Sequence, residues 1–307
     1  ILVLGYTPED MADQVISHGL IQTLWDFQQA QGFERAAQQA GTKVRVHLKI
    51  DTGMSRVGFQ VNAEGKRLAA DSAKLPSLFV EGIYTHFACA DEVDKTTTHR
   101  QVVKFNEMVS ALEAEGIQIP IKHVSNSAAI IDLPEYNFDM VRAGIMLYGL
   151  YPSKDVKLEN VELREVMSLK AQLSRVATIP AGEGISYGHI YKTERDTLVG
   201  TVPLGYADGY TRLLTKKSHL LYSGRPVPVV GKICMDQFMV SLPGEMSPKR
   251  GDQVVLFGES EGTFLSIDQV AQWLGTINYE IVCMIGKRVP RRYLFNETQV
   301  NYNDYLL

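Results

Sequence analysis

The sequence predicts an α/β chain in two parts. Residues 1–153 read as a (β/α)8 TIM-type barrel without its first two strands, and residues 154–307 as a mostly β domain. Three observations predict this. Up to about Pro152, strand-like runs alternate with helix-like ones, which implies parallel strands with helices outside them. One of those strands is apolar on one face and polar on the other. After about Ser153 the rhythm changes to short strands broken by Gly and Pro.

The first strand is "ILVLG". In "TPEDMADQVISHG", Thr7 is expected as N-cap, Pro8 as the first helical residue, and Asp10 suits the first turn. "LIQTLWD" precedes the helical "FQQAQGFERAAQQAG". "KVRVHLKIDTG" precedes a helix around Lys66 to Lys74. "VEGIYTHFACAD" precedes "HRQVVKFNEMVSALEAEG". "IKHVSNSA" and "MVRAGIMLYG" bring the expected strands to six. A closed barrel of this type has eight, and the missing pair occupies roughly 60 residues at about 30 per unit. Their expected place is ahead of Ile1, which stands inside a strand-like run without an initiator methionine.

In "KVRVHLKID", Val44, Val46, Leu48 and Ile50 share one face, and Lys43, Arg45, His47, Lys49 and Asp51 the other. Two placements fit a polar second face: the lumen of a barrel near its active-site end, or a solvent-facing edge strand. The second half supplies "SLKAQLSRVATIPAGEGISYG", "DTLVGTVPLGYADGY", "PVPVVGKICMDQFMVSL" and "GDQVVLFG" as strands. Only "SIDQVAQWLGT" reads clearly as a helix, with Ser266 as its cap.

The composition is that of an ordinary globular protein, 45% hydrophobic and 21% charged over 307 residues. A net charge of -4 with both signs scattered favours neither nucleic acid nor an anionic membrane as partner. Cys89, Cys234 and Cys283 lie far apart, which argues against a disulfide framework or a zinc site and fits a reducing cytoplasm. No apolar run approaches the roughly 20 residues of a membrane span.

Several residues could carry chemistry. "HLKIDTGMSRVGF" places Lys49, Asp51 and Arg56 at a strand end, where barrel active sites sit; solvated surface charge is the plainer alternative. His86 lies in an apolar strand, where a satisfied core histidine is the commoner case. Asn126 and Ser127 in "SNSAA" fit either a phosphate site or a helix cap. Gly144 in "RAGI" allows a close approach of backbone to a ligand. Arg142 stands inside an apolar run and needs a partner, since an unpaired buried guanidinium costs several kcal/mol. Tyr187, Tyr206 and Asp236 sit among glycines or at strand ends in the second half.

Taken in order, "HLKIDTGMSRVG", "THFACAD", "NSAA", "DMVRAGIMLYG", "SYG", "LGYADGY", "CMDQ" and "TINYE" resemble the successive signatures of the alanine racemase family, over nearly the whole chain. Two departures stand out. Ser55 occupies a position where many members have glycine. The family's "VKANAYGHG"-like opening segment, with the lysine that binds pyridoxal 5'-phosphate (PLP), is not in this sequence. Neither Lys49 nor Lys122 has a context that makes it a substitute.

The resemblance implies a PLP-dependent isomerase that interconverts L-alanine and D-alanine by a two-base mechanism, supplying D-alanine for peptidoglycan in the cytoplasm. It implies that Tyr187 is one base, in a hydrogen-bond network with His86 and Arg142, and that Arg142 donates to the pyridine nitrogen. It implies phosphate ligands at Ser127, the backbone of Gly144 and Ile145, and Tyr279, with Asn126 in the cofactor site beside them. Arg56 would meet the substrate carboxylate and the cofactor's phenolic oxygen. Tyr206, Met235 and Asp236 would form the substrate region, and Lys49 would be a carbamylation site. A homodimer with shared active sites is implied as well. The other readings are a related racemase, for example of serine, and a non-catalytic fragment of the enzyme.

Overall fold

A computed structural model describes residues 1–304. The chain divides into two compact units, one spanning Ile1–Arg164 and one beginning at Glu165.

The first unit is built on a parallel sheet. Its strands are β1 (Leu2–Val3), β2 (Ile21–Leu24), β3 (Val44–Asp51), β4 (Phe59–Gln60), β5 (Leu78–Tyr84) and β6 (Ile121–His123). Their order is β1-β2-β3-β5-β6, with β4 paired to the end of β3. Helices α1 (Ala12–Ser17), α2 (Phe27–Gln39), α3 (Ala63–Ala73) and α4 (Thr96–Ala114) connect the strands, and α5 (Ser127–Asp132) follows β6. This is part of a barrel wall. Phe33, Leu48, Ile50, Phe105, Met108 and Leu112 are fully buried in its core. Polar side chains start three of the helices: Asp26 accepts from the Gln29 N–H at 2.7 Å, Asn62 from Gly65 at 2.8 Å and Asn126 from Ala129 at 3.1 Å.

β3 is a central strand, flanked by β2 and β5, so its polar face is no solvent-facing edge. His47, Lys49 and Asp51 are buried, and only Arg45 at the start reaches solvent, where it pairs with Glu81.

Two local expectations need correction. Thr7 does not cap the first helix: a 3-10 turn, Glu9–Met11, begins after Pro8 with no side-chain cap, and α1 starts at Ala12. "MVRAGIMLYG" is not a strand. Its first half makes one backbone bond, from Arg142 N–H to Ser125 O at 3.0 Å, after Asp139 just ahead of it donates to Lys122 O at 3.1 Å. At Gly144 the backbone turns (φ −112°, ψ −103°) into a 3-10 turn, Ile145–Tyr148, which ends the pairing. The chain beyond Ser153 continues on this unit: Val156 is in its core, and Asp132 accepts from the Lys157 N–H at 2.9 Å.

The second unit is mostly antiparallel sheet. Its strands are β7 (Leu169–Gln172), β8 (Arg175–Ile179), β9 (Gly184–Ile185), β10 (Tyr191–Lys192), β11 (Thr197–Val202), β12 (His219–Tyr222), β13 (Arg225–Val230), β14 (Phe238–Ser241), β15 (Gln253–Ser260) and β16 (Thr263–Leu265). The main sheet runs β16-β15-β12-β13-β14-β11-β8, with β7 on β15. A hairpin of β17 (Arg291–Phe295) and β18 (Thr298–Asn303) follows two helices, α6 (Ile267–Leu274) and α7 (Asn278–Met284). Ser266 caps α6, its Oγ accepting from the Gln269 N–H at 3.0 Å. Among the described residues no helix is long and apolar enough to cross a membrane.

Candidate active site

On the first unit the site grows from the C-terminal ends of β3, β5 and β6, the end of a parallel barrel wall where loops carry function. Arg142 finds its partners there, and none is a carboxylate. Its NH2 group donates to Thr85 O at 2.7 Å and Val124 O at 3.1 Å. Its NH1 group donates to His123 Nδ1 at 2.7 Å and His123 O at 3.3 Å. These carbonyls lie just past or at the ends of β5 and β6, so the sheet itself supplies the acceptors. The Nε–H has no protein acceptor among the described residues. Burial lowers the Arg142 pKa to about 10, so the group stays a cation at neutral pH.

Arginine only donates, which fixes the protons next to it. His123 accepts at Nδ1, so its own hydrogen is on Nε2. That hydrogen goes to His47 Nδ1, 2.9 Å away. His47 therefore carries its hydrogen on Nε2, which is buried with no partner among the described residues. Burial first, and then the nearby Arg142 and His47, lower the His123 pKa to about 2. Burial lowers His47 to about 4, with Arg45 and Arg142 adding to it against Glu81. Both rings are neutral at working pH. The His47 ring fits because residue 82 is glycine: a Cβ there would stand 2.4 Å from the imidazole.

Lys49 is buried and donates to Ile50 O at 2.8 Å; burial lowers its pKa to about 8, against the pull of Asp51. Asp51 shapes the loop after β3. Its Oδ1 accepts from the Gly53 and Ser55 N–H groups, both at 3.0 Å, and its Oδ2 from Gln60 Nε2 at 3.0 Å. Burial raises its pKa, but these donors outweigh it and hold the carboxyl below its ordinary value. Ser55 takes φ +56°, the left-handed region that favours glycine. Arg56 follows on that loop, exposed and without an ion pair among the described residues. His86, just past β5, is half-buried; burial, then Arg142, Arg56 and Lys49, lower its pKa to about 4. Asn126 is a helix cap, as one of its two expected roles required. Ser127 Oγ accepts from Gly144 N–H at 2.9 Å and Met146 N–H at 3.4 Å, which joins "SNSAA" to "RAGI" and sets Ile145 beside it.

On the second unit the loop 231–237 is the hub. Ser186, at φ +65°, donates through Oγ to Lys232 O at 2.7 Å and touches Cys234 Sγ at 3.5 Å, which places Tyr187 next along the chain. Tyr187 itself is 70% exposed. The Tyr206 N–H donates to Cys234 O at 3.1 Å and the Ala207 N–H to Met235 O at 3.0 Å. Gly205 makes this approach possible, since a Cβ there would sit 2.2 Å from Met235 O. Asp236 pairs with Arg288 at 2.9 Å, and Arg288 also reaches Asp208 at 3.4 Å. Tyr279 lies on α7, whose last turn packs its Met284 carbonyl against Gly209 at the end of the Tyr206 turn.

Sequence reasoning did not single out His123, His47, Tyr84 or Arg288 as site residues. The available signal was Arg142 itself: a cation in an apolar run needs acceptors, and a histidine or main-chain carbonyl on an adjacent strand can supply them.

The family model for the N-terminal domain of alanine racemase matches residues 1–152, and that for its C-terminal domain matches residues 166–293. An alanine racemase of Clostridium novyi is 42% identical over 309 aligned positions, covering 100% of this chain and 79% of the relative. One of Desulfovibrio desulfuricans is 47% identical, covering 96% and 78%. Among solved structures, the alanine racemase of Clostridium difficile 630 superposes with a TM-score of 0.96 at 45% identity, covering 100% of this chain and 79% of that one. The Bacillus anthracis enzyme with bound L-Ala-P gives 0.94 at 34% identity, covering 100% and 78%. Two domain models in tandem and relatives above 40% identity over the whole chain leave one conclusion: this chain belongs to the alanine racemase family.

Proposed function

We infer that this protein catalyses the interconversion of L-alanine and D-alanine, with PLP as cofactor. The observation that supports this best is Arg142, a half-buried cation held by carbonyls and a neutral histidine, with its Nε–H left without a protein acceptor among the described residues. Such a group fits the ring nitrogen of a pyridine: it donates a hydrogen bond and keeps its proton. The join between Ser127 and the Gly144–Ile145 backbone fits a phosphate, with Tyr279 as a further ligand and Asn126 beside them.

PLP, when bound, supplies an electron-withdrawing ring that acidifies the α-hydrogen of an amino acid. This chain's residues supply one acid/base group and hold the substrate; the family resemblance assigns the second acid/base group to the PLP lysine, which is not in this sequence. Racemisation needs two acid/base groups facing opposite sides of a planar carbon. Tyr187 is one; a free phenol titrates near ~10 and needs nearby cations or donors to act as a base. His86 and Arg142 are those groups. Arg56 binds the alanine carboxylate, and Tyr206, Met235 and Asp236 shape the substrate's surroundings. Lys49, with a pKa near 8, offers an appreciable neutral amine fraction for carbamylation, which turns a cation into an anion that can orient Arg56. The working form is a cytoplasmic homodimer with shared sites, feeding D-alanine to peptidoglycan synthesis.

The test is to incubate the purified protein with PLP and L-alanine in deuterium oxide and follow D-alanine with a D-amino-acid oxidase assay. D-alanine carrying one deuteron at the α-carbon is the expected product. Absence of D-alanine and of deuterium in recovered L-alanine would overturn the assignment.

A further inference from the structure

Tyr84, the last residue of β5, takes no part in the reaction described above, yet it meets His123, Arg142 and Lys49 at once. It is buried. Its hydroxyl shares a hydrogen bond with that of Thr23 on β2, at 3.0 Å. Its ring stacks on the His123 imidazole with centroids 4.6 Å apart and planes 10° from parallel. The Arg142 guanidinium carbon lies over the ring, 4.9 Å from its centroid, and Lys49 Nζ lies 5.5 Å from it.

These contacts divide the work of holding Arg142. Its hydrogen bonds to Thr85 O, Val124 O and His123 run from NH1 and NH2 and fix the guanidinium within its own plane. In-plane bonds resist tilting weakly. An aromatic face carries negative partial charge and attracts a cation along the ring normal, which is the missing restraint. The same ring sets the plane of His123, the acceptor for NH1. We propose that Tyr84 is a positioning residue for Arg142: its ring, pinned by Thr23, holds the guanidinium and the His123 imidazole in one geometry and so sets the direction of the Arg142 Nε–H.

The consequence for turnover rests on the racemase reading; the geometry does not, so the two can be tested apart. The deciding series keeps the ring volume and changes its charge distribution: Tyr84→Phe, then fluorinated phenylalanines at position 84 up to the pentafluoro ring. The first readout is hydrogen exchange of the Arg142 Nε–H by 15N NMR, with the resonance assigned by Arg142→Lys. Tyr84→Phe is expected within about threefold of the native exchange rate, and full fluorination to quicken it by about tenfold, the range of a desolvated cation–π contact. The second readout is kinetic: kcat is expected to fall with fluorination while KM for alanine stays within about twofold. Exchange that ignores fluorination overturns the proposal whatever the activity does. Exchange that quickens in a protein that never racemises alanine supports the positioning role and overturns the reaction instead.

Discussion

At the scale of single residues, the pair His123 and His47 makes the protein sensitive to acid. Burial holds both imidazole pKa values below the ordinary 6.5, at about 2 and about 4. The unfolded chain therefore binds these protons at a higher pH than the folded chain does. The stability this neutral pair carries is fully present above about pH 6.5 and is lost as pH falls below it, at up to about 1.4 kcal/mol per pH unit for each ring. Urea midpoints measured at pH 7, 6 and 5 are expected to fall in sequence, and His123→Asn to flatten that slope. A second residue-scale prediction concerns Ser55. Its φ of +56° costs an L-residue about 1 kcal/mol, so Ser55→Gly is expected to raise stability by about 0.5 kcal/mol in the same assay, after glycine's larger unfolded-state entropy is counted. Arg142 was visible in the sequence as a cation in need of a partner, but its partners were not. Three are main-chain carbonyls, which carry no residue signature, and the fourth is a histidine nineteen positions earlier in the chain.

At the scale of elements, alternation carried most of the legibility. Strands β2, β3 and β5 and helices α2 to α4 have an apolar period long enough to read, and α2 and α3 open on Asp and Asn caps. What failed was short. α7 has seven residues and no side-chain cap, so nothing before Asn278 announced the helix that carries Tyr279. "MVRAGIMLYG" has strand composition, but Gly144 breaks its pairing, and backbone angles at a glycine are not written in hydrophobic pattern. The element junctions also hold a polar keystone. Asp132, at the end of α5, has a nearly fully buried side chain that pairs with Lys95 at 2.7 Å and accepts from the Lys157 N–H. Lys95 in turn donates to Ala90 O at 2.8 Å, so one ion pair ties the start of α4, the end of α5 and the chain beyond Ser153. Removing one partner leaves the other charge unpaired in a mostly buried place. Asp132→Ala is expected to cost about 3 kcal/mol in chemical denaturation, with Asp132→Asn costing less because an amide keeps the backbone bond.

At the scale of the whole molecule, the candidate residues fall on two separately compact units. Lys49, Arg56, His86, Asn126, Ser127, Arg142, Gly144 and Ile145 are on the first, and Tyr187, Tyr206, Met235, Asp236 and Tyr279 on the second. A two-base reaction needs the Tyr187 hydroxyl and the Arg142 cluster at one substrate, and the proposed homodimer meets that need by letting each second unit serve its partner's first unit. This arrangement has a consequence that a monomeric site does not share. Tyr187→Phe disables a residue given to the partner, and Arg142→Ala disables one kept at home. Each variant dimer alone is inactive at both sites. When the two are unfolded, mixed in equal amounts and refolded, random pairing gives about half heterodimers. In each heterodimer one site receives both damaged residues and the other receives neither, so about a quarter of the native activity should return. If Tyr187 served its own chain, each heterodimer site would hold one damaged residue and the mixture would stay inactive. The assay separates the two outcomes without a structure of the dimer, and its result bears on residues from both units at once.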